Sequence, residues 1–358
     1  NLSEWVDLQD KVAKIKNRHL KDLWIDSERA EKFSLKVDRF YFDFSKQQLN
    51  EGELAGLFSL ARACDLENEI SALMSGAEVN NTEKRAALHS ALRADSQETI
   101  QVAGVNVVAD VHASLARMES VVSRIHSRQW RGYSGKPIQD VVNIGVGGSD
   151  LGPFMVCIAL GEFTAPQAKN LRLHFVSSID GTQIADVLST LRAETTLFIV
   201  SSKSFGTVDT LSNARTALQW MQAEAGDVDL VLQHHFIGIS AKPEKMTEWG
   251  IPEANQIIFW DWVGGRFSLW SGIGLPIALQ LGMEGFNALL EGARFMDRHF
   301  REAPLEQNLP ALLGLIGVWN ATFLDIRAHT VLPYDGRLKF FPTYLTQLEM
   351  ESNGDRKS

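Results

Sequence analysis

The chain has 358 residues, with 35 Lys plus Arg against 44 Asp plus Glu, a formal charge of −9, and 45% hydrophobic residues. That composition belongs to an ordinary globular protein and excludes a disordered or fibrous chain. A net acidic chain with no run of Lys and Arg lacks the electrostatic footprint of a nucleic-acid binder, so no polyanionic partner is expected.

The opening segment, NLSEWVDLQDKVAKIKNRHL, is charged and carries apolar residues at spacings of three and four, which predicts an amphipathic helix and no signal peptide. Residues 51–74 repeat that spacing, and between the two VDRFYFDFS alternates as a strand does. Asn81 and Thr82, followed by Glu83 and RAALHSALR, predict a capped helix start, and another helix is predicted over 111–125. The pattern changes near residues 133–137. From there DVVNIGV, LRLHFVSS, TTLFIVSS, HHFIGIS and NQIIFWD each precede a stretch of helical length. Near-continuous apolar strands alternating with helices predict an α/β fold around a parallel sheet buried on both faces. The two cysteines, Cys64 and Cys157, are too few and too distant for a disulfide scaffold or a zinc site, and a cytoplasmic location is expected. Uncharged stretches after Arg266 and over 307–324 contain Gly, Pro, Gln, Asn or Ser, so they read as buried helices and no membrane partner is expected. The chain begins without Met and stops at RKS after a Gly turn, which leads us to expect a fragment.

In parallel sheets ligands collect beyond the carboxyl ends of the strands, so the strand-end loops hold the candidate chemistry. The first, GVGGSDLGP, contains Gly148 and Ser149 and opens a helix; exposed amides and a helix dipole there suit an oxyanion, although a tight strand-to-helix turn needs the same glycines. A dinucleotide fingerprint is disfavoured because Asp150 stands at its third glycine position. In the second loop, SSKSFGT, Ser202, Lys203, Ser204 and Thr207 offer several donors to one phosphate, with Phe205 and Gly206 in the same turn. Helix capping would explain one such hydroxyl but not the row. A third segment, WDWVGGRFSLWSGIG, places Arg266 after two glycines, where it could stabilise a developing oxyanion or simply tie down a helix start. In QLEMESNGD, the last segment, Glu349 and Glu351 stand at a helix end, where the dipole favours proton acceptance, though such acids are commonly solvated surface residues.

Taken with NNTEKRAALHSALR and SSIDGTQIAD, the segments VVNIGVGGSDLGP, SSKSFGTVDTLSNA, VGGRFSLWSGIG and QLEMESNG resemble the phosphoglucose isomerase family, in family order from about residue 80 to 354. The resemblance implies a three-layer parallel-sheet fold of the sugar isomerase (SIS) type. It divides the chain into a mainly helical segment 1–115, a first subdomain 116–283, and the incomplete beginning of a second, 284–358. It also implies a cofactor-free aldose–ketose isomerase acting on a small sugar phosphate, homodimeric when full length. Gly148 and Ser149 would line the site, the loop from Ser202 to Thr207 would hold the phosphate, Gln347 would contact substrate, Arg266 would stabilise the enediolate, and Glu351 would move the proton. The chain departs from the family at Asp355, where ESNG is followed by Lys in the family, and it contains no equivalent of the family's ring-opening His or C-terminal Lys; His299 and His329 do not match by motif. Little activity is therefore expected of these residues alone. A non-catalytic sugar-phosphate-binding module of the same fold is the alternative, since it would need the phosphate loop but neither Arg266 nor Glu351.

Overall fold

The computed structural model describes residues 2–15 and 18–354, and Asp355 falls outside the described residues. The chain forms two compact units, neither continuous in sequence: Asn1–Val79 with Arg294–Thr330, and Asn80–Ala293 with Val331–Ser358. These units do not follow the divisions at 115/116 and 283/284 read from the sequence. The helix Val107–His126, of whose 20 residues the first nine (107–115) were assigned to the N-terminal segment, buries Val111, Met118, Val121 and Val122 in the same apolar cluster as the sheet residues Val141, Leu197 and Ile239. Burial, rather than chain order, draws the line. No strand occurs among the described residues 284–354.

The first unit contains the helices Ser3–Ile15, Glu51–Ala63, Leu66–Ser75 and Leu309–Val318 around a core that includes Leu8, Phe33, Leu49, Leu57 and Trp319. Asn50 and Glu53 close a reciprocal capping box at the start of Glu51–Ala63. The single strand expected over VDRFYFDFS is instead part of a hairpin, β1 (Ser34–Val37) and β2 (Phe40–Asp43), in which Val37 pairs with Phe40. Asp38 makes the intervening turn with φ 51°, a conformation that short polar side chains tolerate.

In the second unit, the helix expected after Asn81 and Thr82 does not form. Asn80 Oδ1 accepts from the Thr82 and Glu83 amides, and Leu88 N–H donates to Trp262 O across 3.0 Å, so the chain turns and yields only a 3₁₀ stretch, His89–Arg93. A short hairpin, β3 (Gln101–Val102) and β4 (Val105–Asn106), precedes the helix Val107–His126.

The sheet comprises β5 (Asp140–Gly145), β6 (Arg172–Val176), β7 (Thr196–Ser201), β8 (Phe236–Ser240) and β9 (Gln256–Ile258), all parallel, in the order β6-β5-β7-β8-β9. Each of the five apolar runs read from the sequence contributes one strand. Side chains alternate between faces: Val141, Leu197, Ile199, Ile237 and Ile239 join one apolar cluster, Val142, Ile144, Phe198, Val200 and Phe236 the other. The second cluster is closed by the helices Gly181–Ser189, Val208–Ala225, Val228–His235 and Pro243–Trp249, the first by Val107–His126 and the start of Leu275–Glu302. The result is three layers. Fully buried Leu, Ile, Val and Phe side chains contribute roughly 1.5–3 kcal/mol each, which makes this sheet the rigid base for the loops above it.

The segment Gly272–Glu302 is apolar and long enough to cross a membrane by length and composition, yet Gly282 breaks it at φ 75° and 56% of its apolar window is buried inside the protein. Leu275, Ile277, Leu279 and Phe286 pack into the first cluster, as expected for a core helix.

Candidate active site

From β5 the chain crosses to β6 on one side, and from β6 it crosses back to β7 on the other. The loops leaving β5 and β7 therefore start side by side, with Gly145 in register with Ser201, and diverge to open a crevice at the carboxyl ends. A cavity of about 600 Å³ occupies it, lined on one side by Gly147, Gly148 and Ser149 and on the other by Ser202, Lys203, Ser204 and Thr207. Asn143, inside β5, braces the first loop by donating to Ser149 O (3.1 Å) and accepting from Ser201 Oγ (3.2 Å).

The second loop is hung from the core by Phe205. Its φ is 42° and its ring is 3% exposed among the apolar residues of the second face, so Phe205 does not line the cavity and neither does Gly206. Anchoring that ring leaves the flanking hydroxyls above the sheet. Ser202 Oγ and Thr207 Oγ1 lie 3.1 Å apart, and Thr207, at the start of the helix Val208–Ala225, makes no side-chain cap bond. The first amides of that helix are thus available to an oxyanion. One turn on, Thr210 also lines the cavity; its hydroxyl is buried and has no partner. Sequence reading passed over Thr210, although its i+3 spacing from Thr207 puts both on one helix face.

Lys203 behaves differently from the expectation of a direct phosphate ligand. Its Nζ donates to Asp261 O (2.8 Å) and Val263 O (2.7 Å), clamping the segment that leads into Gly264, Gly265 and Arg266. Burial, with the nearby Arg85 charge, pushes this amine down to about 8. Gly148 and Gly265 come so close that a Cβ on Gly148 would overlap the Gly265 carbonyl. Ser268 Oγ secures the contact by donating to Gly265 O at 2.6 Å.

Arg266 and Glu351 are brought together from 85 residues apart (351 − 266) by the helix Phe341–Asn353, which packs Tyr344 against this region. Arg266 Nε donates to Ser352 Oγ (2.8 Å), and its Nη1 is 3.7 Å from Glu351 Oε2. Gln347 Nε2 donates to Glu351 Oε1 (2.9 Å), one helical turn away, whereas Gln347 Oε1 is buried without a partner. Glu349 turns aside and accepts from Asn353 (2.8 Å), so of the two acids at this helix end only Glu351 reaches the cavity. His299 accepts from Leu309 N–H (3.0 Å), His329 is exposed, and neither lines the cavity.

Four further charged residues, none of them a candidate site residue from the sequence, stand at the wall: Glu83 pairs with Arg85, and Lys242 donates to Asp261 at 2.8 Å. Counting Arg85, Lys203, Lys242 and Arg266 against Glu83, Asp261 and Glu351, the lining carries +4 − 3 = +1 within a chain of net −9. An anion is the complementary ligand. The same cavity is lined by hydroxyls and a helix start and by a guanidinium–carboxylate pair, a combination that can hold a phosphate and exchange a proton on the same ligand.

Comparison with known proteins gives this geometry a context. The chain is 57% identical over 329 residues to the glucose-6-phosphate isomerase of Acinetobacter venetianus, spanning 92% of this chain and 59% of that protein. It is 56% identical to the Psychrobacter cryohalolentis glucose-6-phosphate isomerase, spanning 92% of this chain and 60% of the relative. The chain thus spans about 60% of the length of these curated relatives. A crystal structure of a glucose-6-phosphate isomerase from Chlamydia trachomatis superposes with a TM-score of 0.83 at 26% identity, covering 98% of this chain and 66% of that one. A hypothetical protein from Thermus thermophilus aligns with a TM-score of 0.59 at 25% identity, covering 82% of this chain and 61% of that one. The sequence pattern of the Phosphoglucose isomerase family matches residues 43–358, so the loops described above are read in their own family's context: this chain belongs to the phosphoglucose isomerase family.

Proposed function

We propose that the protein interconverts glucose 6-phosphate and fructose 6-phosphate by proton transfer through a cis-enediol, and that this chain supplies its phosphate cup and its base. The observation that carries the reading is the Arg266–Glu351 pair at 3.7 Å in the same cavity as Ser202, Ser204 and Thr207. The hydroxyls and the amides at the start of Val208–Ala225 take the phosphate, and the orphaned Thr210 hydroxyl gains a partner there. Glu351 takes the proton from C2 and returns it to C1, while Arg266 faces the negative charge that develops on the enediolate oxygen. Gln347, bonded to Glu351 through Nε2, has Oε1 free to accept a sugar hydroxyl. Lys203 contributes as a clamp on the arginine segment rather than as a phosphate ligand.

The full-length protein is proposed to work as a cytoplasmic homodimer without a cofactor; the resemblance to dimeric isomerases supports this, and the unbridged Cys64 and Cys157 suit a reducing compartment. Incubating the full-length protein with fructose 6-phosphate in deuterated water tests the chemistry. An isomerase passing through an enediol introduces deuterium at C1 or C2 of the sugar; binding without label would overturn the catalytic reading in favour of a sensor module.

A further inference from the structure

Arg266 opens the 3₁₀ stretch Gly265–Trp270, and its guanidinium carbon lies 4.7 Å from the ring centroid of Phe267. Phe267 stacks in turn on His89, with centroids 4.3 Å apart and planes 11° from parallel. His89 belongs to the other 3₁₀ stretch, His89–Arg93, and the two stretches interlock. Arg93 Nη2 is 3.2 Å from His89 Nδ1, its Nη1 donates to His89 O at 3.2 Å, and its guanidinium carbon lies 5.0 Å from the ring of Trp270. A continuous series of contacts thus runs from Arg93 through His89 and Phe267 to Arg266.

The choice of residue at 89 is informative. Packing alone would be served by an apolar ring, whereas an imidazole costs desolvation unless its nitrogen is used. Desolvation, with the Arg93 and Arg266 charges, pushes His89 down to about 3, so it is neutral near pH 7 and its Nδ1 can accept the Arg93 proton. That bond fixes the imidazole plane, and the stack carries the orientation to Phe267. Arg side chains have many rotamers, so a guanidinium that must meet a developing charge has to be aimed beforehand. Ser352 holds its Nε, and the Phe267 ring lies 4.7 Å from its guanidinium carbon.

We propose that His89, acting through Phe267, is a positioning residue that aims Arg266 into the cavity, a role that rests on the isomerase reading above. His89 is not among the residues that line the cavity; it supports Arg266, which is.

The test uses the full-length protein. His89→Ala and Phe267→Leu should each lower kcat by about 10- to 100-fold with KM nearly unchanged, the signature of a misplaced group that acts mainly in the transition state. His89→Phe, which keeps a stacking ring, should recover part of that loss, and thermal unfolding of each variant identifies any that fails to fold. In an Arg266→Ala background His89→Ala should cost little more, because the two act in series. Losses that multiply in the double variant, or an unchanged kcat in both single variants, overturn the proposal. The Arg266 Nε–Hε NMR resonance gives a readout independent of turnover: it should shift or broaden in Phe267→Leu, and an unchanged resonance would refute the aiming role even if the protein proved not to be an isomerase.

Discussion

Replacing Gly148 by alanine adds a single methyl at the point where the two halves of the cavity meet. The new Cβ would overlap the Gly265 carbonyl and sit 2.9 Å from Arg266 N, which is 3.4 − 2.9 = 0.5 Å inside the distance at which ordinary contact begins. The obstruction is backbone, which has no alternative rotamer, so residues 265 and 266 must move by at least that much and the carbonyl by more. Misplacement of a catalytic group by about 1 Å can cost about 10²-fold, and Gly148→Ala should therefore lower kcat/KM by roughly that factor. Overpacking typically costs about 1–3 kcal/mol, so the unfolding midpoint should fall by only a few degrees and the variant should remain folded at 25 °C. Steady-state kinetics on fructose 6-phosphate, the proposed substrate, with the full-length protein, beside circular dichroism, separates the two effects. Wild-type kcat/KM in a folded Gly148→Ala enzyme would refute the claim that the closeness of these loops sets the position of Arg266.

Thr210→Val should raise KM by about 10-fold or more, the worth of a hydrogen bond to a charged group, while leaving stability equal or better because it removes a buried hydroxyl without a partner; an unchanged KM would take Thr210 out of the phosphate site. Glu351→Gln should cut turnover by about 10²-fold or more with substrate affinity retained, and a matching loss of affinity measured by calorimetry would mean that Glu351 is not the base. His235 is fully buried, its Nε2 accepting from Tyr133 N–H at 2.8 Å and its Nδ1 lying 2.6 Å from Thr196 O, and burial pushes it down from 6.5 to about 4. Because the unfolded chain then binds the proton first, stability is full above pH 6.5 and falls as pH drops toward 4, by on the order of 3 kcal/mol from this one group. Urea unfolding across that range should show the slope and His235→Gln should reduce it; an imidazole that titrates at 6.5 or above in the native protein would contradict the assignment.

Five runs such as TTLFIV announced the sheet because strands buried on both faces are mostly apolar, and each run lies in it even where Asn143 interrupts β5 and Arg172 and His174 interrupt the edge strand β6. The cup residues were legible for a similar reason: a row of Ser, Lys, Ser and Thr exceeds what one helix cap requires. Side-chain direction was not legible. Phe205 and Lys203 sit in the same loop as Ser204, but the ring is drawn into the core and the amine onto the carbonyls of residues 261 and 263, contacts set by segments distant in sequence. The segment after Asn81 misled because its alanines and leucines carry a real helical preference. A carbonyl at Trp262 and the Asn80 side chain offered its backbone other partners, and tertiary bonds outweigh propensities of less than about 1 kcal/mol per residue. Two discontinuous units were equally invisible, since nothing local marks a chain that leaves a core and later returns.

That return has a consequence for how the cavity opens. Gln347, Glu351 and Ser352 all ride on Phe341–Asn353, a helix in which only Tyr344 is buried, whereas the cup stands on strands buried along their whole length. Segments with little buried surface fluctuate open at lower free energy than core strands. Transient detachment of this one helix would therefore carry off Gln347, Glu351 and Ser352, and with them the proposed base, while the hydroxyl loop after β7 stays in place, and amide exchange in its last turns, faster than in β5 and β7, is where that partial unfastening would show.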